Sequence, residues 1–107
     1  MSDRNTQLFV SLVIGLVQAA YTQLGKVKNE LTGTIDRNLD AARITIDTLA
    51  VLELKTKGNL TDEEAEVLKR ALTELRMNYV DELQKQAAQP PAEVSSSLNA
   101  EDSPGGP

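Results

Sequence analysis

Cysteine and histidine are both absent from the 107-residue chain. Without them there is no disulfide framework, no thiolate nucleophile, no thiolate or imidazole metal ligand and no imidazole acid or base. Most enzyme chemistries are thereby removed, and no cofactor is expected. Tryptophan is absent too, and the aromatics amount to 3%, namely Phe9, Tyr21 and Tyr79. Three scattered rings make no platform for stacking bases. Positive charge is outnumbered, with 11 basic against 16 acidic residues and a net charge of -5. That balance matches neither a phosphate backbone nor an anionic membrane surface, so nucleic acid is not expected as a partner.

What remains is 40% hydrophobic and 25% charged with a mean hydropathy of -0.29, the profile of one ordinary soluble domain. The charge is unevenly spread. Residues 87–107 hold Glu93, Glu101 and Asp102 and no base, so the rest has 13 acidic against 11 basic residues, a mixed surface that implies no particular partner. The C-terminal stretch is rich in Pro, Ser and Gly and has too little apolar surface to offset its ordering entropy. Residues 87–107 are read as a disordered acidic tail, in which Val94 and Leu98 are the one candidate docking motif.

Breakers divide residues 4–86 into three helical segments. The first runs from Arg4 to about Leu24 and stops at Gly25, suited to the left-handed position that closes a helix. A loop follows, with Thr32-Gly33-Thr34 as its turn. Asn38 or Asp36 caps a second helix that runs to about Lys57 and stops at Gly58-Asn59. Thr61 and Glu64 form a T-x-x-E capping box for the third, with Asp62 and Glu63 favourably placed at the positive end of its dipole. In the third helix Ala65, Leu68, Leu72, Leu75, Tyr79 and Leu83 form one stripe. The second has a main stripe of Leu39, Ala42, Ile46, Leu49 and Ala50, with Ile44, Val51 and Leu52 well off it.

The first helix is the anomaly. Projected at about 100° per residue, its apolar side chains cover most of the circumference, and no charge occurs between Arg4 and Lys26. Two neighbouring helices hide roughly half of such a surface, so the remainder calls for another chain, a lipid or a ligand. A membrane span is too short, since the strongly apolar part from Leu8 to Tyr21 reaches roughly 21 Å against a 30 Å hydrocarbon core. A signal peptide, with Val17-Gln18-Ala19 near a cleavage-like site, is the minor rival. Self-association is the leading reading, through a candidate interface of Leu8, Ser11, Leu12, Gly15, Leu16 and Ala19. Ser11, Gly15 and Ala19, four apart, put small residues on one line that permits close backbone approach, either between copies or to a helix of the same chain.

Candidate chemistry is sparse. Arg76 projects close to Leu72, Tyr79 and Leu83 and needs an anion; Asp47 on the second helix is the candidate partner, shared with Arg43. A structural ion pair is favoured there over a substrate clamp that would also use Tyr79. Asp62, Glu63 and Glu66 have metal-like spacing but fit a solvated helix start better. The segment Lys55-Thr56-Lys57-Gly58-Asn59 lacks the glycine order of a phosphate-binding loop. No catalytic and no metal residue is assigned.

The turn KTKGNLTDEE (Lys55 to Glu64), preceded by AARITIDTLAVLELK and followed by LKRALTELRMNYV, resembles the small bacterial family called domain of unknown function 1844. The resemblance covers roughly residues 8–83 and includes Leu24-Gly25, Thr32-Gly33, Ile46-Asp47 and Leu75-Arg76. Where the family pattern has a proline before the Thr-Gly of the first loop, this chain has Asn29-Glu30-Leu31. The resemblance implies a small helical cytoplasmic protein and brings no activity or catalytic residue with it. The expectation is therefore an all-α three-helix domain over 4–86, a homodimer or higher oligomer acting as a non-enzymatic interaction or scaffold module. A peripheral membrane protein using the first helix is the alternative, and an enzyme or small-ligand binder using Arg76, Asp47 and Tyr79 in an interhelical pocket the third.

Overall fold

The computed structural model describes residues 3–88, which form three helices with no strand among them: α1 (Arg4–Gln23), α2 (Leu39–Lys55) and α3 (Asp62–Ala88). The expected tail lies outside the described residues, except that residues 87 and 88 complete the last turn of α3.

Local chemistry sets each boundary. Asp3 opens α1 by accepting from the Thr6 amide at 2.8 Å. At the other end the Lys26 amide donates to the Tyr21 carbonyl and the Gly25 amide to that of Thr22, both at 3.0 Å. These two bonds are the paired closure that needs a left-handed residue, and Gly25 supplies it at φ 81°. A Cβ at Gly25 would also meet the Arg37 Cβ at 3.1 Å, because the chain returns against it. Of the two candidate caps for α2 it is Asn38 that serves, accepting from the Ala41 amide at 3.1 Å. Asp36 instead accepts from the hydroxyls of Thr32 and Thr34, each at 2.9 Å, and ties the loop together. Asn29 braces the other side of this loop. Its amide donates to the Thr34 carbonyl at 2.8 Å and its side chain accepts from the Leu31 amide at 2.8 Å.

Gly58, at φ 89°, reverses the chain after α2. Thr61 and Glu64 then satisfy each other's backbone amides at 2.8 and 3.1 Å, the reciprocal capping box at the start of α3. The helices run up, down and up. The start of α2 meets the end of α1 through an Asn38 amide to Gln23 carbonyl bond of 2.7 Å. The core draws three buried residues from each segment: Val13, Ala20 and Leu24; Ala42, Ile46 and Leu49; Leu68, Leu72 and Leu75. Ile44 and Val51, off the main stripe of α2, are exposed.

Candidate interaction surface

Val13 and Ala20, seven apart, aim one face of α1 at the core, which turns Ser11, Gly15, Gln18 and Thr22 to the opposite side. Leu8 and Leu12 flank that outer line and are 55% and 52% exposed. Of the expected interface residues, Leu8, Ser11, Leu12 and Gly15 are exposed, while Leu16 and Ala19 are half-buried and Leu16 packs on the core. A Cβ built on Gly15 meets nothing within 4 Å. The small-residue line therefore does not serve to bring α2 or α3 close to α1. Beside it, Gly15, Ala19 and Thr22 form one wall of a surface groove of about 710 Å³ whose other wall is the loop from Val27 to Leu31.

The proposed Asp47 and Arg76 pair is not brought together. Asp47 meets Arg43 at 3.9 Å on the exposed side of α2, while Arg76 is exposed beside Glu53, Leu54 and Lys57. Tyr79 lines a different depression, with Arg37 and Leu83. Arg76 and Tyr79 thus line different depressions, and Asp47 lines neither. The reason is rotational: the buried line of α3 follows Leu68, Leu75 and Glu82, and Arg76 is one residue, about 100°, beyond Leu75. Ala65 and Leu83, counted in the sequence stripe, fall on the same outer side and are exposed. Asp62 and Glu66 are exposed, and no group of three or more metal-ligating side chains occurs among the described residues.

The polar site that sequence reasoning missed is Glu82. Its side chain is only 7% exposed, and it accepts ion pairs from Lys26 at 2.6 Å, Arg37 at 3.0 Å and Lys85 at 3.2 Å. Asp81 beside it meets Lys26 and Lys85, each at 3.4 Å. The Lys26 hydrogen bond, reinforced by Arg37 and Lys85 against the opposing effect of burial, pulls the Glu82 carboxyl down to about 2 from its ordinary 4.5. The same Glu82 bond raises the Lys26 ammonium above its ordinary 10.5. One carboxylate thus fastens the end of α1, the entry to α2 and the last turns of α3. The available signal was the seven-residue step from Leu68 through Leu75 to Glu82, which places a carboxylate on the buried line.

The family model described as Domain of unknown function (DUF1844) matches residues 6–81, more than half of the chain. The chain belongs to this family. The DUF1844 match takes in nearly all of α1, the whole of α2, both connecting turns and α3 as far as Asp81, so it contains the outer face of α1 and the groove beside it. It stops one residue before Glu82. No curated protein and no solved structure matches significantly. No helix among the described residues is long and apolar enough to cross a membrane.

Proposed function

We propose that this DUF1844 protein is a cytoplasmic, non-enzymatic interaction module that self-associates through the outer face of α1. The observation that carries the reading is the half-exposed Leu8 and Leu12 beside an open Gly15, on a helix with no charge between Arg4 and Lys26. Apolar side chains left together at a surface are stabilised by a second protein surface. A non-enzymatic role is supported by the lack of histidine and cysteine and by the saturation of the buried Glu82 carboxylate with three cations. Protein is favoured over lipid as the covering surface because the middle of the outer face is Ser11, Gly15, Gln18 and Thr22. Insertion into a bilayer interface wants bulky apolar groups there and basic residues around them.

The test pairs the wild-type chain with a Leu8→Lys/Leu12→Lys variant in size-exclusion chromatography with light scattering. The wild type is expected above monomer mass, and the variant as a folded monomer with unchanged helicity. A wild type that elutes as single 11.6 kDa copies at every concentration overturns the proposal. Flotation of the wild type with liposomes would transfer the face to lipid instead.

A further inference from the structure

The end of α2, the turn after it and the first half of α3 enclose a depression of about 630 Å³, away from the outer face of α1. We infer that it seats residues 93–102 of this same chain, with Leu98 on its floor. The floor is apolar: Leu54, 69% exposed, lies beside Ala50, Leu60 and Ala65. Lys57 and Arg76 also line it, and both are exposed and take part in no ion pair among the described residues. Glu53, the acid of the lining, is outside those ion pairs too and can accept from hydroxyls. An apolar floor with two such cations fits a peptide that carries a leucine among acids.

Residues 89–107, which lie outside the described residues, have that composition. They hold Glu93, Glu101 and Asp102 and no base, with Ser95, Ser96 and Ser97 directly before Leu98. Length agrees as well. From a midpoint between Ala65 and Arg76, α3 continues for about 26 Å to Ala88. The ten residues from Ala88 to Leu98 span up to about 33 Å when extended, enough to reverse at Pro90-Pro91 and return to the depression. Laid antiparallel to α3, the segment brings Glu101 and Asp102 towards Lys57, the serines over Glu53 and Glu93 to the side of Arg76. A tether this short holds Leu98 at an effective concentration on the order of 1 mM, so a contact too weak to capture a free peptide is still occupied.

A chain without cysteine accepts a single nitroxide cleanly, here at Asn99→Cys in the full-length protein. The amide resonances of Leu54, Leu60 and Ala65 are expected to broaden well beyond those of Ser11 and Gly15 on α1. That difference is expected to disappear with Leu98→Ser, which touches none of the described helices, and with Lys57→Glu/Arg76→Glu at unchanged helicity. A synthetic peptide of residues 93–102 is expected to shift the Leu54, Leu60 and Ala65 resonances in the Leu98→Ser chain, and to shift them less in the wild type, where the seat is taken. Broadening spread evenly over all three helices would overturn the proposal. So would broadening at the depression that survives both sets of substitutions, or a peptide that shifts none of the three resonances. Broadening seen only when labelled and unlabelled copies are mixed would transfer the seat to the tail of a second copy and overturn docking within one chain.

Discussion

At Glu82 one carboxylate accepts from Lys26, Arg37 and Lys85, which come from three different stretches of the chain, so neutralising it loosens three elements at once. Lys26 and Arg37 keep some contact with water, which tempers the loss. Glu82→Gln is therefore expected to cost about 2 kcal/mol in urea unfolding at neutral pH. The pH dependence follows from the depressed pKa. Between about 2 and the ordinary 4.5, the unfolded chain binds a proton that the folded one does not. The Glu82 contribution is thus intact above pH 4.5 and is lost as pH falls towards 2, and wild type and Glu82→Gln should converge in stability at acid pH. With Lys26 the sign reverses: its contribution is present below 10.5 and is lost as pH rises through its raised value. Arg76→Ala, by contrast, should change stability by less than about 0.5 kcal/mol, as an exposed side chain outside the ion pairs among the described residues does. Glu82 was hidden in the sequence because a charged residue reads as surface, and its Arg37 partner is 45 residues away. Arg76 was misplaced because a helical projection locates the edge of a stripe less sharply than its centre.

The elements themselves were legible because their signals are local. Gly25, Gly58 and the Thr61 and Glu64 pair fix their helix ends within a few residues of chain, and the helices close where those residues stand. The choice between Asn38 and Asp36 was not legible, since it depends on the hydroxyls of Thr32 and Thr34 competing for Asp36. Glycine tests this level with opposite signs. Gly15 lies in a helix interior with open space at its Cβ, so Gly15→Ala should stabilise the dilute, monomeric protein by about 0.5–1 kcal/mol. Gly25 has a left-handed backbone and Arg37 against it, so Gly25→Ala should destabilise by about 1–2 kcal/mol. Thermal unfolding of the two variants side by side separates the cases.

In the whole molecule, three helices supply one shared core and leave Leu8, Leu12 and Ile14 of α1 uncovered. The surplus was visible in the sequence as an apolar circumference without charge. Which part of it faces outward was not, because the rotation of α1 is set by Val13 and Ala20 packing against α2 and α3. The loop from Val27 to Leu31 adds a wall that no helical periodicity describes. Sedimentation equilibrium of the unmodified chain across micromolar concentrations measures the consequence without any substitution. The expected result is a reversible shift from 11.6 kDa towards twice that mass as concentration rises. A single species of 11.6 kDa throughout would contradict it.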